Sequence, residues 1–205
     1  MKRITAGILS AFAACLATPA QAQICAGFPT AEREFTIGAS VDFPERLNPR
    51  GAEASWNVPG PFAVAAGASV VSVEGDDGIL AQSVSAGASY ALLGDPSGAR
   101  GQVCPLAALG YTTSDDLGSA ASLSLGVGLG LNLSASRTFG IYPYAAPQVV
   151  LSRSTFNGDT DGSTDLAVTG GVLVGVGALW VGPTVAYLVE DGAEPVFGIR
   201  GGFRP

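Results

Sequence analysis

Oxygen-bearing side chains recur at alternating positions in the segment Asn157-x-Asp159-x-Asp161-Gly162-x-x-Asp165. Donors at positions 1, 3, 5 and 9, with glycine at position 6, match part of an EF-hand calcium loop. Position 12 of that loop supplies a bidentate carboxylate, and it is Val168 here. A weak calcium site and a solvated acidic surface loop are the alternatives, and the missing ligand favours the surface loop.

Groups suited to catalysis are scarce. The chain contains no histidine, which is the side chain most often used as a general base near neutral pH. No serine has an evident partner base, and no metal-ligand cluster or placed pair of carboxylates stands out. We therefore expect neither an enzymatic activity nor a cofactor.

The first 22 residues have the features of a cleavable secretory signal peptide. Lys2-Arg3 is the positive start, residues 4–16 form a short apolar run, and Ala20-Gln21-Ala22 is a small-x-small cleavage site. The run is too short to cross a bilayer as a helix. A lipoprotein signal at Cys15 is the alternative, which the short run before that cysteine disfavours.

The chain that remains is acidic. It has no lysine, and its eight arginines face 17 acidic residues, which gives a formal charge of −9. Nucleic-acid binding rests on basic contacts to phosphate, so we expect no nucleic-acid partner. Mean hydropathy is +0.37, although no later apolar stretch approaches the ~18 residues of a transmembrane helix.

Large apolar and small residues alternate with period two. Over 123–133 one face is wholly aliphatic and the other holds serine, glycine and asparagine, and the same division recurs at 34–43, 166–176 and 197–203. Period two indicates strands. A soluble sandwich would carry lysine and glutamate on its solvated face, whereas small residues suit the interior of a narrow barrel. We therefore predict that the aliphatic face meets lipid, as in transmembrane barrels.

Turn signals divide this region into ten predicted strands. They cover 33–43, 51–58, 61–73, 79–93, 102–113, 120–133, 139–152, 165–177, 179–189 and 195–203. The predicted fold class is all-β, a transmembrane antiparallel up-and-down β-barrel of ten strands over 33–205, after a periplasmic segment at 23–32. The strand 51–58 is short, with Trp56 as a candidate interface anchor, and without it eight strands would remain.

The predicted connections differ in charge between the two ends of the barrel. From a periplasmic N-terminus, the outward loops hold most of the acidic residues, whereas the inward turns are tight or neutral. The outward loops are 44–50, 74–78, 114–119, 153–164 and 190–194. This separation supports the ten-strand register.

Cys25 and Cys104 are the two cysteines that remain after cleavage. Exported proteins enter an oxidising compartment, and in this register both cysteines lie at the periplasmic end of the barrel. We favour a Cys25–Cys104 disulfide, which would stabilise the fold by about 2–4 kcal/mol. Two free thiols are the alternative.

Few charges fall on the predicted lumen face. They are Glu34, Asp42, Glu53 and Arg200. Arg200 lies on the closing strand beside the first, so Glu34 or Glu53 would be its partner. An unpaired charge inside a narrow barrel is costly, so we favour a structural role for these residues over ion selectivity, which remains the alternative.

Pro143 and Pro147 lie four residues apart in the predicted strand 139–152. Residues four apart direct their backbone N–H groups to the same neighbour, so the two missing donors would weaken one seam of the sheet. The alternative is that 142–147 belongs to the periplasmic rim and the regular strand starts later.

After residue 22 the chain resembles the small Gly-rich outer-membrane β-barrel proteins of Gram-negative bacteria, a class of porin-like and OmpA-like barrels. The resemblance implies an outer-membrane location, contact with lipid, and insertion by the barrel-assembly machinery. That machinery recognises a final strand ending in an aromatic residue, and 196–203 ends at Phe203, third from the end of the chain. Enzymes of this class generally use histidine as a base, so the resemblance also implies no catalysis here.

Three functions therefore remain. We favour an outer-membrane barrel with a structural or narrow passive-pore role, and any pore is expected to be small and to prefer cations because the outward loops are acidic. A surface protein that binds a partner or cations through those loops is the alternative. A secreted soluble carrier is disfavoured because no lysine-rich face is present.

Overall fold

The computed structural model describes residues 35–43, 47–57, 62–73, 79–90, 92, 101–114, 118–133, 139–156, 158–190 and 192–203. Within these ranges the chain forms ten β-strands. They are β1 (Phe35–Asp42), β2 (Leu47–Asn57), β3 (Phe62–Val73), β4 (Ile79–Tyr90), β5 (Gly101–Ser114), β6 (Gly118–Leu131), β7 (Phe139–Phe156), β8 (Asp159–Val176), β9 (Leu179–Leu188) and β10 (Val196–Phe203). No helix in this part of the chain is long and apolar enough to span a bilayer.

The strands close into a single antiparallel barrel. Each strand pairs with the next one along the chain, and β10 returns to pair with β1, with Arg200 opposite Ser40. Closure leaves no full-length edge strand with unpaired backbone groups. The predicted up-and-down barrel of ten strands is confirmed. We refer to the end where β1 begins and β10 finishes as the basal end, and to the opposite end as the distal end.

Burial alternates along the strands as the period-two pattern requires. In β6, Leu125, Leu129 and Leu131 are exposed on the outside, whereas Ser122 and Ser124 are buried inside. A soluble protein buries such leucines in its core, and this barrel exposes them instead. Along β6 the predicted orientation, with large aliphatic residues outward and small residues inward, is what the structure has.

Strand β2 begins at Leu47, earlier than predicted, because residues 47–50 were assigned to the outward loop 44–50. The pairing of β1 with β2 stops at Val41 opposite Arg50, whereas pairing with β3 continues through Pro49 to Leu47. The proline, which has no N–H, therefore lies where β1 has already ended, and it does not interrupt the strand.

Strands β7 and β8 are also longer than predicted. The segment 153–164 was assigned to an outward loop because it is rich in aspartate, glycine and threonine. In the structure Phe156 pairs with Asp159, and Gly158 adopts a φ of +86° in the tight turn between them. Glycine has no Cβ, so it tolerates this left-handed conformation. The supposed loop is wrong, and a two-stranded extension of the barrel wall takes its place.

Pro143 and Pro147 both lie inside β7, which is regular from Phe139 onward. The alternative that 142–147 forms an irregular rim is therefore wrong. The β6–β7 ladder is interrupted between Gly126 and Leu129, next to Pro147. This interruption agrees with the expectation that proline weakens the seam with β6.

Candidate functional site

The outer surface carries a band of exposed aliphatic side chains flanked by aromatic residues. The exposed aromatic residues near the basal strand ends are Phe35, Trp56, Phe62, Tyr90, Phe139 and Phe203. Those near the distal strand ends are Phe43, Tyr111, Tyr187 and Phe197. Phe156 lies farther out, at the tip of the β7–β8 extension. Two aromatic girdles around an apolar band match the two interfaces of a bilayer.

In the basal girdle, aromatic side chains on neighbouring strands lie opposite each other. Trp56 lies opposite Phe35, and Phe62 lies opposite Tyr90 with ring centroids 5.0 Å apart in an edge-to-face arrangement. Trp56 was predicted to be an interface anchor. The structure places it at the basal end of β2, exposed on the outside, among the other aromatic residues of the girdle.

Four large side chains fill part of the basal half of the interior. Tyr142, Tyr144, Leu173 and Trp180 form one buried cluster, which we call the aromatic cluster. Leu173 and Trp180 are 0% and 4% exposed, so other protein atoms cover these two side chains almost completely. The barrel is therefore packed rather than open at this level.

Glycines on the neighbouring strands make room for the indole of Trp180. A Cβ at Gly38 on β1 would lie 3.0 Å from the Trp180 ring, and a Cβ at Gly202 on β10 would overlap it. The indole therefore extends from β9 across β10 as far as β1. This packing joins the last strands of the barrel to the first one on the inside.

Above the aromatic cluster lies a buried ion pair. The Nε of Arg200 is 3.2 Å from Oε1 of Glu53, and its Nη2 donates to Oε2 at 3.3 Å. The two residues are 3% and 7% exposed. The sequence left Glu34 and Glu53 as candidate partners for Arg200. The structure brings Glu53 to it, and Glu34 lies outside the described residues.

A cleft lined by both polar and apolar residues occupies the distal side of the interior next to β1–β4. It encloses about 470 Å³ of space, part of it open to solvent, and its lining includes Asp42, Glu53 and the serines 40, 69, 83 and 85. Asp42 lies against Gly198 of β10, where a Cβ would overlap its carboxylate. The three described charges of the lumen, Asp42, Glu53 and Arg200, thus lie together, with one negative charge in excess.

Elsewhere in the described interior, several buried polar atoms have no hydrogen-bond partner in the protein. They include Ser124 Oγ, Gln148 Oε1 and Thr169 Oγ1. Buried polar groups usually have partners, so these atoms distinguish this part of the interior from an apolar core.

The β7–β8 extension projects from the distal end. Hydroxyl hydrogen bonds join its two strands, from Ser152 to Ser163 at 2.6 Å and from Thr155 to Thr160 at 3.3 Å. Ser163 also donates to Asp165 at 2.6 Å. Residues on both faces of the extension are exposed, so it is a polar hairpin standing in solvent.

The acidic residues of the calcium motif lie on this hairpin. Asp159, Asp161 and Asp165 occupy alternate positions of β8, and alternate residues of a strand lie about 6.6 Å apart, so their carboxylates do not surround one point. No group of three metal-binding side chains was found among the described residues. Asn157 lies outside them, and the calcium site stays a prediction.

Cys104 is buried on the inner face of β5, near its basal start, at 1% exposure. The sequence predicted Cys104 at this end of the barrel. Cys25 lies outside the described residues, as do the predicted signal peptide and the segment 23–32, so the disulfide also stays a prediction.

The aromatic cluster was missed by the sequence analysis, which described a lumen lined by small residues. The signal was available, because Tyr142 and Tyr144 share a face of β7 with Gly140 and Ala146. The sequence left open whether β7 begins before or after Pro143 and Pro147, so it did not show that the two tyrosines point into the barrel.

No family model matches the chain, and no curated protein sequence matches it. Among solved structures it is similar to the β domain of the Bordetella autotransporter BrkA, with 10% identity and a TM-score of 0.56, over 84% of this chain and 99% of that one. The N-terminal β-barrel domain of Pseudomonas aeruginosa OprF also matches, with 11% identity and a TM-score of 0.40, over 85% and 98% of the two chains. The attachment invasion locus protein Ail of Yersinia pestis, in complex with the heparin analogue sucrose octasulfate, matches with 11% identity and a TM-score of 0.35, over 85% and 100%. The chain thus has the fold of outer-membrane β-barrels.

Proposed function

We propose that this chain is an integral outer-membrane β-barrel whose interior is closed, so that it acts as a structural scaffold rather than as an open channel. The observation that supports this best is the aliphatic outer band bounded by two aromatic girdles. Exposed apolar surface on that scale would make a soluble protein aggregate, whereas in a bilayer it is solvated by lipid. In this proposal lipid surrounds the band and the barrel-assembly machinery inserts it, following a signal peptide.

The closed interior rests on different residues. Leu173 and Trp180 of the aromatic cluster are almost completely covered by protein, and the Glu53–Arg200 pair lies above them. Eight-stranded barrels are filled by side chains and sixteen-stranded barrels hold open channels, so a ten-stranded barrel is close to the filled limit. The absence of histidine supports a further part of the proposal, that the barrel is not an enzyme.

Cell fractionation tests the membrane part of the proposal. The protein should co-purify with outer membranes, resist carbonate extraction, and migrate differently on gels before and after boiling. Recovery as a soluble periplasmic protein would contradict it.

Planar-bilayer recordings test the closed interior. We expect no steady conductance from the refolded barrel. A small, cation-preferring conductance would favour the narrow pore instead, because the described lumen and the outward loops carry an acidic excess. An anion preference, or a conductance as large as that of a general porin, would contradict both roles.

The polar β7–β8 extension favours a second candidate function, that of a surface interaction protein. It projects from the distal end, which faces the outside if both termini lie in the periplasm. The exposed carboxylates of Asp159 and Asp161 are features that a partner could contact.

A further inference from the structure

The outer part of β8 has a strand edge that β9 does not cover. Pairing between β8 and β9 extends distally only to Ala167 opposite Leu188, followed by one hydrogen bond from the Val189 N–H to the Leu166 carbonyl. Beyond that point β8 continues as Asp159–Asp165, and among the described residues its partner there is β7 alone.

The pattern of hydrogen bonds shows which backbone groups point to this edge. Leu166 directs its carbonyl toward β9, and in an antiparallel sheet alternate residues direct both backbone groups to the same side. Thr160, Gly162 and Thr164 therefore present their N–H and C=O groups along the open edge. All three residues are exposed.

Carboxylates line the same edge. Asp159, Asp161 and Asp165 alternate with the edge-facing residues, so they share one face of the extension. Glu190 and Glu194 follow β9 nearby and are also exposed. A strand added to this edge would have every second side chain on the acidic face.

We propose that the open edge of β8 binds an extended, lysine- or arginine-rich segment of a partner protein by strand addition. Backbone hydrogen bonds to Thr160, Gly162 and Thr164 hold the segment, and basic side chains at alternate positions pair with Asp159 and Asp161. The inference deepens the surface-interaction candidate and rests on the proposed orientation, because only an inserted barrel presents this edge outside the cell.

Titration of the refolded barrel in detergent micelles with a short synthetic peptide of alternating lysine and threonine tests the proposal. Gly162→Pro removes one edge-facing N–H and places a ring at the edge, and it leaves the bonds to β7 intact because Gly162 points away from them. Gly162→Ala is the matched control, since its Cβ would lie 3.6 Å from the Ser152 carbonyl oxygen, an ordinary contact. We expect the proline variant to bind about tenfold more weakly and the alanine variant to bind as the parent does.

Charge is tested separately. Asp159→Asn with Asp161→Asn should weaken peptide binding about fivefold, and added salt should reduce that difference. Glu190→Gln with Glu194→Gln removes the same charge from the segment after β9, beside the edge but not on β8, and should have a smaller effect. If the two double variants weakened binding equally, the peptide would be attracted by the net charge of the barrel. That result would overturn the proposed pairing of basic side chains with Asp159 and Asp161.

Three further outcomes would overturn the proposal. They are absence of peptide binding, equal binding by Gly162→Pro and Gly162→Ala, and a barrel that dimerises through this edge without peptide. Gel mobility before and after boiling is measured on the same samples. A folded barrel that does not bind counts against the edge assignment alone, whereas loss of the mobility shift counts against the membrane barrel.

Discussion

Replacing Glu53 by glutamine removes the carboxylate that faces Arg200 inside the barrel. The charges are 3.2 Å apart, and at an effective dielectric constant of ~20 their attraction is about 5 kcal/mol before desolvation is counted. Removing one partner of a buried pair costs about 3–5 kcal/mol, because the other charge stays buried. Asp42 lies close enough to attract Arg200 as well. We therefore expect Glu53→Gln to lower the free energy of unfolding by about 3 kcal/mol, at the lower end of that range.

Urea unfolding of the refolded barrel in micelles, followed by tryptophan fluorescence, measures this loss. Arg200→Met alone should also destabilise the barrel, because it leaves Glu53 without its cation. The double variant should lose less stability than the sum of the two single variants, since neither member of the pair then remains buried without the other. A loss below about 1 kcal/mol for Glu53→Gln, or a double variant as unstable as the sum of the single ones, would refute the reasoning.

Other residues give further predictions. Trp180→Gly should open the basal half of the interior and produce a conductance in planar bilayers that the parent barrel lacks; an unchanged silent bilayer would show that the indole does not close the lumen. Leu125→Arg, near the middle of the apolar band, should cost about 2–4 kcal/mol in lipid vesicles, whereas Leu133→Arg at the basal end should cost about 0–1 kcal/mol. Equal losses of stability for the two variants would show that the bilayer midplane does not lie near Leu125. Mass spectrometry of unreduced peptides should find Cys25 linked to Cys104, and two alkylatable thiols in fresh protein would disprove the link.

The sequence predicted the fold well because every strand of a closed barrel carries the same alternation of large apolar and small residues. The alternation of leucine with serine and glycine in β6 determines both the strand and its outward face without knowledge of any neighbour. The final strand was equally clear, since Phe197 and Ile199 alternate with Gly198 and Arg200.

The interior was less predictable because its contacts depend on register between distant strands. Both Glu34 and Glu53 could have supplied the negative charge that Arg200 needs. Choosing Glu53 required knowing that Gly38 lies opposite Glu53 and leaves room for its carboxylate. The packing of Trp180 over Gly202 is likewise a contact between neighbouring strands that local periodicity does not contain.

The β7–β8 extension was mistaken for a loop for a different reason. Aspartate, glycine and threonine favour turns when nothing else holds them. Here, pairing with Ser152 and its neighbours, and hydrogen bonds between hydroxyl groups, hold the segment extended. Cross-strand pairing overrode the local preference.

The interrupted ladders beside β7 and β8 have a consequence for how the barrel opens and assembles. The β7–β8 ladder is continuous through the 18 residues of each strand. By contrast, the β6–β7 ladder is broken beside Pro147, and the β8–β9 ladder is broken beside Pro183. The hairpin is thus a cooperative unit held by sequence-local contacts, which form early in folding, between two seams whose ladders are each interrupted at one point. Thermal fluctuations should part the barrel wall first along these seams, and amide hydrogen exchange should be faster there than within the hairpin.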